Sequence, residues 1–320
     1  MKAIITDCDH KSIAIEQEEF EKAGIPLELK QCHSEEDVIR ECQDADVFIV
    51  QYAPITRKVM EACPKLKAII RYGVGVDTLD VKAATDLGIQ IGNVPDYGVN
   101  EVADHALALA LAMGRKIVKM NDQVKEKGWD YTPAIPIHRF STQTCGIVGL
   151  GRIGKNLAKK MKALGFHVIA YDPYLQEKGI QEEDIPLVDF DELLQQSDII
   201  SIHCPLEGNE NLFDKEAFQK MKDSACIINV ARGGIINEAD LLEALKTNQI
   251  AQAALDCLEK EPGAKDNPLF QLENVIVTPH MAWYSEEATE DLKRKVAQEA
   301  IDFLKGESIP YPINHPQALR

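Results

Sequence analysis

The sequence predicts an α/β protein built from two parallel-sheet domains. Three observations carry that expectation. The chain has 320 residues, more than one core of ~100–200 residues usually organises. Short apolar runs alternate with amphipathic stretches along its length, the pattern of parallel strands covered by helices. A second series of such units opens at a glycine-rich turn, GLGRIGKN, at residues 149–156.

The first hundred residues supply five strand candidates: KAIITD, LELKQ, DVFIVQY, KAIIRYG and IQIGNVP. Helical segments such as SIAIEQEEFEKAG and SEEDVIRECQ lie between them, completing one small α/β unit. NEVADHALALALAMGRK follows, nearly all apolar from Ala103 to Met113, which predicts a helix buried on most sides, with Asn100 as its N-cap. His105 falls within it and reads as a packed structural histidine. GWDYTPAIPIHRFSTQ is irregular, with two prolines and several aromatics, and suits a linker or an oligomerisation arm.

The second βαβ series begins at QTCGIVG and runs to about His280. The last helix, SEEATEDLKRKVAQEAIDFLKG, has no strand after it. Its expected return to the first unit makes a discontinuous domain of residues 1–99 and 287–320 around an inserted domain of residues 100–286.

Composition narrows the partners. A formal charge of −17 provides no general field for nucleic acid or an anionic membrane. No apolar stretch reaches the ~18 residues of a membrane span. The opening MKAIITDCDH enters a strand-like run without the charged-then-apolar pattern of a secretory leader. The eight cysteines form no C-x-x-C pair, and several sit inside apolar runs, as reduced cysteines do. A cytoplasmic protein is therefore expected. The eight histidines are scattered without ligand spacing, so no metal site is expected.

The glycine turn fits two phosphate-binding patterns. Read as G-x-x-x-x-G-K it resembles a nucleoside-triphosphate loop, but Asn156 stands where a magnesium-binding hydroxyl is required. Read as G-x-G-x-x-G, it uses Gly149, Gly151 and Gly154. Its context is then complete: the strand TCGIVG before, a helix with Ile153, Leu157, Met161 and Leu164 on one stripe after, and a second strand closing at Asp172. An acid there bonds the ribose hydroxyls and repels a 2′-phosphate, which favours NAD over NADP.

Five apolar runs each end in a polar residue: Asp172, His203, Arg232, Asp256 and His280. In an open parallel sheet those ends face the ligand crevice. If a nicotinamide lies there, His280 suits proton exchange near neutral pH and Arg232 suits fork-like carboxylate binding. A carboxylate beside the histidine would hold its tautomer, and Glu261, Glu259 and Asp256 are all candidates.

VGLGRIG, INVARGG, DCLEKEP and TPHMAWYS, with RYGVGVDTLD and NVPDYGVNEVADHALAL, resemble the NAD-dependent D-2-hydroxyacid dehydrogenases over nearly the whole chain. The resemblance implies two Rossmann-like domains, a flavodoxin-like substrate domain and an inserted doubly wound NAD-binding domain. It implies a catalytic trio of Arg232, Glu261 and His280, thus selecting Glu261. It places Arg152 and Ile153 at the pyrophosphate, Asp172 at the ribose, and His203, Cys204 and Pro205 at the adenosine. Val230, Ala231 and Asp256 are implied at the cofactor, Asp256 at the nicotinamide carboxamide.

For the substrate, a small 2-keto or D-2-hydroxy acid, the resemblance implies Arg71 and the backbone of Val74 and Gly75. AWYS after His280 is most similar to the C-terminal-binding-protein branch, implying Trp283 as a pocket residue. Tyr52 and Tyr72 are expected to shape the same pocket. PLEGNENLF departs from the Thr-rich family pattern, with Glu207 in place of a threonine. Members are homodimers joined through the Rossmann domain and an arm like residues 115–140. Short D-3-phosphoglycerate dehydrogenase and a non-catalytic NAD-sensing scaffold are the alternative readings.

Overall fold

The computed structural model describes residues 1–182 and 184–320. They form two compact units, Met1–Gly98 with Ser285–Arg320, and Val99–Tyr284.

The first unit carries strands β1 (Ala3–Ile5), β2 (Leu27–Leu29), β3 (Val47–Val50), β4 (Ala68–Arg71) and β5 (Gln90–Asn93). They are all parallel, in the order β2-β1-β3-β4-β5, which is the flavodoxin-like order. β1 and β3 are buried at every position because helices cover both faces of the sheet. The helix Glu286–Leu304 starts at Ser285, whose hydroxyl accepts from Ala288 N at 2.9 Å. Its buried stripe, including Leu292, Val296, Ala300 and Leu304, packs in one core with Ile5, Ile49 and Ile70. The final helix thus belongs to the unit formed by the chain's beginning.

The second unit carries β6 (Thr144–Val148), β7 (His167–Tyr171), β8 (Ile199–Ile202), β9 (Cys226–Asn229), β10 (Gln252–Leu255) and β11 (Val275–Val277). All six are parallel, in the order β11-β10-β9-β8-β6-β7. Leu187 adds a single parallel bridge to Ala170 of β7. Counted as a seventh position, it completes the doubly wound order in which the chain reverses direction between β6 and β8. Apolar cores cover both sheet faces, one around Ile200, Phe213 and Ile227, the other around Ile147, Met161 and Ile228.

Two local expectations need correction. The helix after the first unit spans Val99–Gly114, so Asn100 lies inside it and caps nothing; its Oδ1 instead accepts from Asn156 Nδ2 at 2.6 Å. That helix is buried on most sides, as expected: Ala103, Ala106, Leu109, Ala110 and Met113 are buried and only Asn100, Asp104 and Ala108 are exposed. Leu164, expected on the stripe of the helix Arg152–Ala163, is its exposed C-cap, and the buried face runs through Gly154, Leu157, Ala158 and Met161.

Candidate active site

Each glycine of the turn after β6 meets a different physical demand. Gly149 adopts φ +90°, and a Cβ there would stand 2.7 Å from Cys204 N and 2.8 Å from His203 C. Gly154 sits where a Cβ would be 2.2 Å from Gly149 O, so only glycine lets the helix pack on the strand. Gly151 is the opposite case: nothing lies within 4 Å of its Cβ position. It is also the N-cap of the helix Arg152–Ala163, and no side chain caps the helix there. The first N–H groups, with the positive end of the helix dipole, therefore face open space that a pyrophosphate fits.

Asp172, one residue past β7, accepts from Leu150 N at 2.8 Å and from Leu175 N at 3.1 Å. The carboxylate is thereby fixed beside the turn, with acceptor capacity left for a ribose hydroxyl. His203 and Cys204 press their backbone against Gly149, while Pro205 is exposed. His203 Nε2 bonds Ser201 Oγ at 2.8 Å, and burial lowers its imidazole pKa to about 3, so it is a neutral wall residue. Val230 and Ala231 follow β9, and Ala231 N is held at 3.1 Å by Asn229 Oδ1. These residues fit a dinucleotide.

At the same carboxyl edge, His280 Nδ1 stands 2.6 Å from Glu261 Oε2. Glu261 Oε1 accepts from Leu258 N at 2.9 Å, so the carboxylate is anchored on its other side. Burial pushes the Glu261 carboxyl up. The His280 hydrogen bond, the Leu258 N–H and the charges of His280 and Arg232 outweigh it and hold the carboxyl below its usual value. Glu259, a rival partner by sequence, exchanges bonds with Glu238 instead: its N donates to Glu238 Oε1 at 2.6 Å and its Oε1 accepts from Glu238 N at 2.8 Å.

Arg232 is half-buried, with Nη1 donating to Ala231 O at 2.8 Å and its own carbonyl accepting from Asn229 Nδ2 at 2.8 Å. The following Gly233 is forced: a Cβ would stand 1.8 Å from Leu258 O. That contact locks the Arg232 loop onto the loop that carries Glu261. The double glycine of INVARGG signals a turn in the sequence, but the partner it touches was not legible there.

Asp256, 2% exposed at the end of β10, behaves differently from a surface ligand residue. Its carboxylate accepts from Thr278 Oγ1 at 2.5 Å, Met281 N at 3.0 Å and Ala282 N at 2.8 Å. Its carbonyl accepts from His280 N at 2.8 Å. These bonds shape the loop that presents His280, whose φ is +52°. Trp283 Nε1 donates to His280 O at 3.1 Å, and its ring packs edge-on against Tyr284 with centroids 5.7 Å apart.

In the first unit, Arg71 ends β4 and donates from Nη1 to Tyr72 O. Asn93 Nδ2 holds Val74 O at 2.6 Å, leaving Val74 exposed and Gly75 half-buried. Tyr52 is 57% exposed, as a pocket residue would be. Tyr72 is not: it is 2% exposed, and its hydroxyl donates to the buried Glu16 at 2.8 Å. The expectation that Tyr72 shapes a substrate pocket is overturned, because its polar end is spent inside the core.

A glycine turn with an open helix N-terminus, a fixed carboxylate at the next strand end and a histidine–carboxylate pair, all on one sheet edge, are the arrangement of a dinucleotide-dependent class of protein. Known proteins place it further. The family model described as D-isomer specific 2-hydroxyacid dehydrogenase, NAD binding domain, matches residues 107–282. A D-3-phosphoglycerate dehydrogenase of Archaeoglobus fulgidus is 40% identical over 297 residues, 92% of this chain and 56% of that protein. A hydroxypyruvate reductase of Blautia hydrogenotrophica is 36% identical over 280 residues, 86% of this chain and 87% of that one. The crystal structure of a D-lactate dehydrogenase from Aquifex aeolicus, complexed with NAD and lactic acid, superposes with a TM-score of 0.87 at 25% identity, covering 99% of this chain and 100% of that chain.

The chain belongs to the D-isomer specific 2-hydroxyacid dehydrogenase family, and Val99–Tyr284 contains that family's NAD-binding domain. It spans 56% and 60% of the length of two archaeal D-3-phosphoglycerate dehydrogenases that it matches. Among the described residues, no helix is long and apolar enough to cross a membrane, and no group of three or more His, Cys, Asp or Glu is arranged to hold a metal.

Proposed function

We propose that this protein interconverts a small 2-keto acid and the D-2-hydroxy acid, with NAD(H) as its redox partner. The 2.6 Å pair of Glu261 and His280 beside Arg232 carries the reading. Bound at the glycine turn, NADH supplies the hydride that reduces the keto carbon. Every other requirement falls to side chains of this chain. Glu261 keeps a proton on His280 Nδ1 and fixes the ring, so the opposite nitrogen, Nε2, gives its proton to the carbonyl oxygen as that oxygen gains charge. In the oxidative direction Nε2 takes the proton back. Arg232 pairs with the substrate carboxylate and draws charge toward the carbonyl. Arg71, the backbone N–H groups of Val74 and Gly75, and Trp283 are proposed substrate residues. Gly149, Gly151, Arg152, Ile153, Gly154, Asp172, His203, Cys204, Pro205, Val230 and Ala231 are proposed for the cofactor. Asp256 is proposed on the nicotinamide side, with most of its acceptor capacity already committed to its own loop.

The relatives named for phosphoglycerate and for hydroxypyruvate both act on three-carbon acids oxygenated at C3. Hydroxypyruvate and 3-phosphohydroxypyruvate therefore head the test panel, followed by glyoxylate, pyruvate and branched-chain keto acids. NADH oxidation with one of them, lost in H280A while NADH binding persists, supports the proposal. Tight NADH binding with no turnover of any would favour the NAD-sensing scaffold, which the complete trio argues against.

A homodimer is part of the proposal. Ile117, Trp129, Tyr131 and Ile135, in and after the helix Ile117–Lys127, are 58–95% exposed, and large apolar side chains exposed along one segment suit an interface with a second copy. A cytoplasmic location is proposed with it, because all eight cysteines are free and seven are buried.

A further inference from the structure

We propose that His105 is a positioning residue for His280, acting through Thr278 and Asp256; this rests on the proposed role of His280 in proton transfer. His105 lies on the helix Val99–Gly114, in a stretch that the sequence presents as apolar packing. Its Nε2 is 3.0 Å from Thr278 Oγ1. Thr278 Oγ1 is in turn 2.5 Å from Asp256 Oδ1. An ionised carboxylate only accepts, so the threonine hydrogen points to Asp256 and the threonine oxygen is left to accept from His105 Nε2–H. His105 Nε2 also lies 3.6 Å from Asp256 Oδ1. The direction of each bond in this relay is fixed by the one after it.

What the relay holds is the backbone of the active loop. Asp256 takes the N–H groups of His280, Met281 and Ala282, three in succession, on its carbonyl and its two carboxylate oxygens at 2.8, 3.0 and 2.8 Å. Those bonds support His280 at φ +52°, a left-handed conformation that a residue with a Cβ resists. The same conformation aims the imidazole at Glu261, 2.6 Å away. Asp256 is 2% exposed, so water is a poor substitute for a lost donor. Removing His105 leaves the Thr278 hydroxyl free to turn from Asp256. The loop then loses its fixed geometry, and the His280–Glu261 bond with it.

A histidine that only fills space is replaced by an apolar residue at a cost in stability alone. A positioning histidine is replaced functionally by glutamine, whose amide N–H reaches about where Nε2–H stands. The test therefore compares H105L, H105Q and T278V in the full chain. Turnover is expressed per NADH-binding site, so that poorly folded protein does not count. H105L is expected to lower kcat about tenfold, the rate equivalent of one hydrogen bond of ~1.4 kcal/mol, with the KM for NADH within about twofold. H105Q restores kcat to within about twofold of the parent. T278V reproduces the H105L loss, and the H105L/T278V pair loses no more than either alone, because the two act in one relay.

An activity-free readout accompanies these. The downfield Nδ1–H proton resonance of His280, assigned by its absence in H280A, is expected in the parent and H105Q and broadened by exchange in H105L and T278V. Unchanged kcat per site and an unchanged resonance in H105L overturn the inference. So does equal loss in H105L and H105Q. If H105L fails to fold, T278V decides by the same criteria. Full turnover in H280A would instead defeat the proposed function, and the resonance would still judge the relay.

Discussion

Replacing Glu261 by glutamine preserves the shape of the side chain and its ability to accept from Leu258 N, but puts an uncharged amide NH2 in place of the charged acceptor facing His280. In the structure that charge lies 2.6 Å from Nδ1, within a charge-assisted hydrogen bond. Such bonds contribute ~1.5–3 kcal/mol. The two side chains are 36% and 42% exposed, so solvent screening places the value at the lower end, ~1.5 kcal/mol. Felt in the transition state, this lowers kcat by about tenfold. NADH affinity is expected to stay within about twofold, because Glu261 lies outside the glycine turn. Stopped-flow hydride transfer and NADH titration separate the two effects. The pH dependence gives a second check. The Glu261 carboxyl is held below its usual value, so what the pair contributes is present above the ordinary carboxylate range and is lost only as pH falls through the depressed value. The parent retains the pair in mild acid, and E261Q has no corresponding acid-side loss. Full kcat in E261Q at neutral pH would refute the assignment of Glu261 as the orienting group.

Four further substitutions test the rest of the reading. G151A puts a methyl group into open space at φ −76°, so the melting temperature is expected to hold while NADH binding weakens at least about tenfold; G154A, whose Cβ would meet Gly149 O at 2.2 Å, loses ~1–3 kcal/mol of stability instead. Equal behaviour of the two by calorimetry and NADH titration would sink the assigned roles. G233A, driven 1.8 Å from Leu258 O, is expected to lose turnover and melt lower, and an unaltered melting curve would show that the Arg232 loop is not locked as described. Burial, helped by the charges of Asp96 and Asp302, raises the Glu299 carboxyl to about 8. The folded state keeps a proton that the unfolded chain releases, so stability is full below the ordinary carboxylate value and is lost as pH rises through about 8. E299Q should flatten that decline, and parallel melting-temperature profiles from about pH 5 to about pH 9 would contradict it.

Periodicity and punctuation made much of this molecule legible. The alternation of strands and helices, the glycine turn, and the five polar strand ends are local patterns, each readable from a short run of neighbouring residues. The errors arose where a side chain has more than one possible destination. Tyr72 reads as a pocket residue because it follows a strand, yet Glu16 from a distant helix claims its hydroxyl. Asn100 has the chemistry of a cap, but the helix begins at Val99 and Asn156 is within reach. The reading of His105 as a packed histidine stands, but its bond to Thr278, 173 residues away, has no local signature. The choice among Glu261, Glu259 and Asp256 was likewise a question of loop path, which spacing does not encode.

The loops at the carboxyl edge of the second sheet are tied to one another in sequence across the sheet. The loop after β6 touches the loop after β8 where Gly149 meets His203 and Cys204. The loop after β8 bonds the loop after β9 through Asn211 N to Gly234 O at 2.8 Å and Phe213 N to Ile235 O at 3.0 Å. The loop after β9 touches the loop after β10 where Gly233 meets Leu258 O. The loop after β10 holds the loop after β11 where Asp256 takes the three N–H groups at positions 280–282. Backbone takes part in every junction: two rest on glycines that permit close approach, one on backbone hydrogen bonds, and one on a carboxylate that gathers successive N–H groups. Backbone contacts of this kind fix position more tightly than long side chains do, and a proton donor must be placed to within a few tenths of an ångström. This accounts for the glycines beside Arg232 and the aspartate before the 280 loop: they set the distances among Arg232, Glu261 and His280 on which the proposed proton transfer depends.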